Sequence, residues 1–418
     1  MVIGGEKMIK KKQFIWNTIG SMVFSVFSAI ILMVCTRLNG VEIAGIFSIC
    51  YATGCILNSI GDLGIRIVQV TDTNRKYKYA DYFYARIYAI LAMIIFGFVF
   101  GIVTNYTNEK LFILIILLLI RVLDNFSETF QAEFQLHDRL DIAGKSLLYR
   151  NAAELLTFII LDKFTNNIYI SFGGMLLAGI LVLFFYELRK IRKYDNTKLE
   201  YNFSRIKVIV KESIPLGIST LVSMYVINAV KYAIERFNNN ELQTYFNILY
   251  MPTFVINIVS ILLIKPFLKV FGEYWNNNEY SKFIKIIIRL NLVLIACGVL
   301  GEIVCYFIGI PFLNMLYKVD LSEYRIHLLL MVLSGLFYAM STIMFYVLGT
   351  IRKQKLTTII YSLASVFALV VSCILVKDNI IMGATISNLL IMLFLFIGLT
   401  IAFIFSFRKH KKEESIGN

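Results

Sequence analysis

The sequence predicts an all-α polytopic membrane protein of about 12 transmembrane helices, arranged as two six-helix bundles. Three observations lead there: the composition, the length of the apolar runs, and the side on which positive charge collects. Of 418 residues 58% are hydrophobic and only 16% charged, with a mean hydropathy of +0.74; soluble domains carry roughly 25% charged residues. The charges crowd between apolar runs of about 20 residues, the helix length that crosses ~30 Å of hydrocarbon. Lipid is therefore the solvent for most of this chain.

Apolar runs separated by polar punctuation place spans near residues 14–36, 43–65, 83–104, 111–131, 143–162, 168–188, 207–231, 242–264, 283–308, 326–348, 356–376 and 379–407. Lys10, Lys11 and Lys12 precede the first run as they would in a signal peptide. That run, Phe14 to about Cys35, is too long for a cleaved apolar region and reads as a retained helix. The connection from Arg189 to Lys211 is the longest and most charged. It divides the chain into an N-terminal bundle (1–195), a cytoplasmic linker (196–206) and a C-terminal bundle (207–418). Two such halves suit a transporter rocking around a central site, although no internal sequence repeat marks them as duplicates. Pro215 and Pro252 fall within the seventh and eighth spans, where a missing backbone donor bends or opens a helix.

An even number of spans puts both termini on one side, and lysine and arginine say which. They crowd the N-terminus, the connections around Arg66–Lys78, Arg139 and Lys145, Arg189–Lys207, Lys265–Lys285 and Arg352–Lys355, and the tail. The opposite loops hold only Arg37, Lys110, Lys163, Arg236, Lys318, Arg325 and Lys377. The expectation is a multi-pass protein of the cytoplasmic membrane with both termini cytoplasmic. Anionic membrane lipids then account for the net charge of +14. No nucleic-acid-binding motif appears, so nucleic acid is not expected as a partner.

Reactive constellations are missing. All six cysteines (Cys35, Cys50, Cys55, Cys297, Cys305, Cys373) lie in apolar segments without metal-ligand spacing. His137, His327 and His410 are far apart in sequence. Ala143-Gly144-Lys145-Ser146 looks like the end of a phosphate-binding loop, but Arg139 stands where its first glycine would be. No nucleophile, base and orienting acid assemble. The expectation is a protein that is not an enzyme and needs no cofactor or metal, driven by an ion gradient, the membrane potential or its substrate's own gradient.

An ionisable side chain at the bilayer centre costs at least about 2.5–3.5 kcal/mol, so each asks for a partner, a wet cavity or a role. The second span carries Gly54, Asn58, Asp62 and Arg66, each four residues after the last, as one slowly turning polar stripe. The fourth holds Arg121, Asp124 and Glu128; the fifth Arg150 and Glu154; the seventh ends with Lys231 and Glu235; Arg86, Arg289 and Glu302 stand alone. Two readings stay open. Pairs such as Arg150 with Glu154 orient helices and touch no ligand, or Arg66, Arg86, Arg121 and Arg150 offer their planar donor forks to phosphate oxygens. Asp62, Asp124 and Glu128 are candidates for binding a coupling cation, a proton or sodium ion. The 34 Phe and 24 Tyr are mostly lipid-facing bulk and interfacial belts, with some available to stack on sugar rings.

Four strings resemble the bacterial polysaccharide or O-antigen flippases of the Wzx type, within the multidrug/oligosaccharidyl-lipid/polysaccharide (MOP) exporter superfamily. They are AGIFSICYATGCILNSIGDLGIRIVQVTD (Ala44–Asp72), FQLHDRLDIAGKSLLYRN (Phe134–Asn151), NAVKYAIERF (Asn228–Phe237) and QTYFNILYMPTFVINIVSILLIKPFL (Gln243–Leu268). The likeness covers spans two to eight better than the last four. It implies two six-helix bundles around a V-shaped central cavity, alternating access, and an undecaprenyl-pyrophosphate-linked oligosaccharide carried to the outer leaflet for polysaccharide or lipopolysaccharide biosynthesis. It also implies a cationic cavity lining, which Arg66, Arg86, Arg121, Arg150 and Lys231 would supply, and polysaccharide assembly proteins as partners. Val230 departs from a proline and Glu235 from an aspartate in related sequences. The rivals are a small-molecule or drug exporter of the same superfamily, a membrane-embedded polysaccharide polymerase or ligase, and a scaffold that gathers glycosyltransferases.

Overall fold

A computed structural model describes the backbone of residues 2–72, 75–194, 200–237, 239–264 and 267–417. The expected linker lies partly outside these residues, at 196–199. Among the described residues the regular structure is all helical, with 14 helices. In order they are α1 (Val2–Leu38), α2 (Val41–Asp62), α3 (Ile65–Thr71), α4 (Tyr79–Val103), α5 (Asn108–Leu136), α6 (Leu140–Thr165) and α7 (Ile168–Ile191). There follow α8 (Phe203–Glu235), α9 (Asn240–Ile264), α10 (Leu268–Asn276), α11 (Tyr280–Tyr317), α12 (Arg325–Thr350), α13 (Gln354–Asp378) and α14 (Ile380–Gly417). Apart from the short α3 and α10, these follow the order of the predicted spans. Several run past the predicted ends because a helix continues beyond the hydrocarbon thickness wherever its backbone bonds can.

Among the described residues, 10 helices are long and apolar enough to cross a membrane. The two long helices that miss this standard are α5 and α6, because Arg121, Asp124 and Glu128 interrupt one and Lys145, Arg150 and Glu154 the other. A membrane helix with that much charge must turn it toward protein or water. Here both are core helices: α5 packs on α2, α4, α6 and α7, and α6 packs on α1 and α7.

Contacts divide the chain into two compact units, Met1–Met224 and Tyr225–Asn418. In the first, α1 runs along α6 and closes on it where two glycines, Gly20 and Gly144, leave room for backbone. A Cβ on Gly144 would collide with the backbone of Trp16 and Asn17. In the second, α12 packs between α9 and α14, and the Thr253 hydroxyl on α9 donates to the Met331 carbonyl on α12 at 2.6 Å. A groove of about 500 Å³ between α13 and α14 is lined wholly by apolar side chains, among them Ile360, Phe394 and Phe405. The apolar stretch of α11 is only 17% buried, which leaves Leu300, Phe307 and Phe312 to face lipid.

Candidate functional site

The polar interior of the first unit is built around an interruption. Helix α2 stops at Asp62 because Leu63 (φ 48°) and Gly64 (φ 73°) both adopt the left-handed conformation, and α3 begins one residue later. The stripe read from four-residue spacing therefore ends at Asp62. Arg66 does not continue it: it sits on α3, half-buried, donating to Gln131 Oε1 at 3.3 Å. Gly64 and Leu63 are fitted against α8 just after Pro215. A Cβ on Gly64 would fall 2.5 Å from Leu216 Cβ, and one on Gly217 would fall 3.0 Å from Leu63 Cα.

Arg86, which looks isolated in the sequence, is among the most connected side chains of the unit. From α4 its Nη1 donates to the carbonyls of Gly61 (3.0 Å) and Asp62 (2.9 Å), to Asp62 Oδ1 (3.2 Å) and to Asn125 Oδ1 (2.9 Å). Nε donates to Thr129 Oγ1 at 3.2 Å, and Nη2 stands 3.7 Å from Glu128 Oε2. The Arg86 side chain is 0% exposed, against 23% for Asp62 and 31% for Glu128, so the carboxylates lie outside it.

One turn before Glu128 on α5, Asp124 serves two arginines. Arg121 Nη1 is 2.9 Å from Asp124 Oδ2 and Arg150 Nη2 is 2.7 Å from Asp124 Oδ1. The expected pair of Arg150 with Glu154 is the looser contact, at 3.9 Å, because the Arg150 fork turns across to α5 and also donates to the Leu123 carbonyl at 3.1 Å. Arg121 lies 4.9 Å from the centre of the Tyr51 ring. Beside it Tyr51, Arg121, Asp124, Asn151 and Glu154 help to line a cavity of about 10 Å³, room for about one water molecule. Asn125 joins the two arginine groups: besides accepting from Arg86 it donates to Asn58 Oδ1 at 2.7 Å and to the Arg121 carbonyl at 2.8 Å.

The structure thus gathers Arg66, Arg86, Arg121 and Arg150 with Asp62, Asp124 and Glu128 in the first unit. Lys231 belongs to the second, half-buried on α8, 5.8 Å from the centre of the Tyr250 ring. Sequence reasoning missed the neutral half of this network. Gln131 donates to the Ser127 hydroxyl at 2.9 Å, and Ser127 donates to Glu187 Oε1 at 2.6 Å. Ser146 donates to the same oxygen of Glu187, which is fully buried where α7 loosens into a π-helical turn. Buried Asn125, Ser127 and Gln131 in the string DNFSETFQ, four or fewer residues apart, were the signal.

These features define the class: an all-helical polytopic membrane protein that keeps a guanidinium–carboxylate network inside its first helical unit. Its fold is shared with solved transporters. The chain is similar over 94% of its length to lipid II flippase MurJ in an inward closed conformation, covering 87% of that chain with a TM-score of 0.70 at 13% identity. It is also similar to an inward-facing multidrug resistance MATE family transporter of the MOP superfamily, over 93% of this chain and 98% of that one, with a TM-score of 0.64 at 12% identity. A third similar structure is the MATE multidrug transporter DinF-BH, over 95% and 94% of the two chains, with a TM-score of 0.64 at 12% identity. At such identities the likeness is one of fold. No protein-family model matches the sequence, and no curated protein does.

Proposed function

We propose that this protein is a transporter of the MOP type that flips a polyprenyl-pyrophosphate-linked oligosaccharide from the cytoplasmic to the outer leaflet of the cytoplasmic membrane by alternating access. The observation that carries the reading is a buried cluster of arginines in a fold shared with a lipid II flippase over nearly the whole chain. Guanidinium groups attract a diphosphate through paired, charge-assisted hydrogen bonds. Arg66, half-buried on α3, and Arg121, beside the small cavity, contact the headgroup in this reading; Lys231 is a separate cationic candidate of the second unit. Arg150 keeps Asp124 in place. Transport with a direction requires that binding differ between inward and outward states. Asp62, Asp124 and Glu128 are the groups at which a proton or sodium ion would impose that difference. Both termini are cytoplasmic, membrane lipids and polysaccharide assembly proteins are the partners, and no covalent step is needed, so the protein is not an enzyme.

Purified protein in vesicles should move a lipid-linked oligosaccharide between leaflets. Arg121→Ala should abolish that movement while leaving protein level and membrane insertion intact, because Asp124 retains Arg150. Normal movement by this variant would remove Arg121 from the site. The second reading, a small-molecule exporter, is favoured by the fold shared with multidrug MATE transporters. Drug sensitivity of a deletion strain, set against loss of surface polysaccharide, separates the two.

A further inference from the structure

We infer that Arg86 is a positioning residue: it holds the break between α2 and α3 and thereby fixes where Asp62 and Arg66 stand, without touching the transported headgroup. This role rests on the proposed reading of Asp62 and Arg66 as site residues. A helix end leaves its last carbonyls without intrahelical partners, and away from bulk water such orphans are expensive. At this break two of them, on Gly61 and Asp62, accept from the single Nη1 of Arg86 at 3.0 and 2.9 Å. The same nitrogen reaches the Asp62 carboxylate at 3.2 Å, so backbone and side chain of Asp62 are fixed together.

The guanidinium has little freedom of its own. Thr129 and Asn125 accept from it at 3.2 and 2.9 Å. Space around the break is equally tight: a Cβ on Gly61 would lie 2.9 Å from Asn125 Nδ2, and one on Gly64 would lie 2.5 Å from Leu216 Cβ. With 0% of its side chain exposed, Arg86 stands behind the partly exposed Asp62 and Glu128, and a ligand meets those carboxylates first. A lysine would keep the charge, but its single nitrogen could not bond the break and Thr129 together as Nη1 and Nε do.

The test is hydrogen exchange of the segment 59–71 in the full-length purified protein without substrate, comparing wild type with Arg86→Lys, Arg86→Gln and Arg66→Gln. Losing hydrogen bonds to a charged donor should speed exchange of this segment by about tenfold in both Arg86 variants, with no change in Arg66→Gln. In vesicles, Arg86→Lys should lower the maximal translocation rate of a lipid-linked oligosaccharide and leave the half-saturating concentration unchanged, whereas Arg66→Gln should raise the latter. Wild-type exchange in the Arg86 variants, or a raised half-saturating concentration in Arg86→Lys, overturns the positioning role. Should Arg86→Gln fail to fold, Arg86→Lys preserves the charge beside Asp62 and Glu128 and decides the matter alone. Because exchange is read without substrate, it is independent of the transport reading, which fails by itself if wild-type protein moves no such lipid.

Discussion

Asp124 on α5 and Arg150 on α6 meet at 2.7 Å, and the other oxygen of the same carboxylate holds Arg121 at 2.9 Å. One carboxylate thus lies between two buried guanidiniums. Removing one partner of a buried ion pair is strongly destabilising, since the remaining charge is left uncompensated. Asp124→Asn should cost about 3–5 kcal/mol of stability. Adding Arg150→Gln should recover part of it. Thermal unfolding in detergent measures both, and an unchanged midpoint in Asp124→Asn would mean that the charges are compensated elsewhere.

The break after α2 makes opposite predictions for adjacent residues. Gly64→Ala places a Cβ at φ 73°, 2.5 Å from Leu216 Cβ, and should destabilise by about 1–3 kcal/mol. Leu63→Gly relieves a left-handed non-glycine residue at φ 48°, so the gain of about 1 kcal/mol in backbone strain opposes the lost leucine packing. A thermal shift series should therefore rank Gly64→Ala well below Leu63→Gly.

Glu187 is fully buried and accepts from the hydroxyls of Ser127 and Ser146. Ser146→Ala removes a donor without offering water in its place, an effect worth about 1–3 kcal/mol. Ser146→Thr, which keeps the hydroxyl, should lose less despite its extra methyl. Equal losses for the two variants would assign the effect to packing.

Asp72, in the connection after α3, supplies a pH prediction. Burial raises its carboxyl, but donation from the Tyr77 and Lys76 amides and the Tyr82 hydroxyl outweighs this and holds it below the usual carboxylate range. A depressed folded value means the contribution is fully present above the unfolded value of about 3.9 and is lost as pH falls through the folded one. Amide exchange at Lys76 and Tyr77, corrected for its intrinsic pH dependence, should show constant protection from neutral pH to about pH 5, weakening only in stronger acid. Asp72→Asn should remove the acid transition.

The long helices were legible because each span length repeats in the apolar runs, and the charged positions announced that α5 and α6 face inward. Which charge meets which was not. Spacing along one helix pairs Arg150 with Glu154, yet the guanidinium reaches across to Asp124, since a long side chain in a packed bundle finds a neighbouring helix as easily as the next turn. Arg86 looked solitary for the same reason: all its acceptors come from α2 and α5. The break at Leu63 was hidden because leucine is a strong helix former, and the contacts around it come from distant parts of the chain, Arg86 on α4 and Gly217 on α8.

The polarity of α5 and α6 bears on how the chain is made. Charges at the centre of a nascent segment oppose its partitioning into the bilayer, and neither helix is among those long and apolar enough by composition to cross a membrane. Asp124 on one and Arg150 on the other stand 2.7 Å apart once folded, so pairing the two segments as a hairpin lowers the charge that either would carry into hydrocarbon alone. The same ion pair that orders the interior thereby also reduces the cost of placing these two helices in the bilayer.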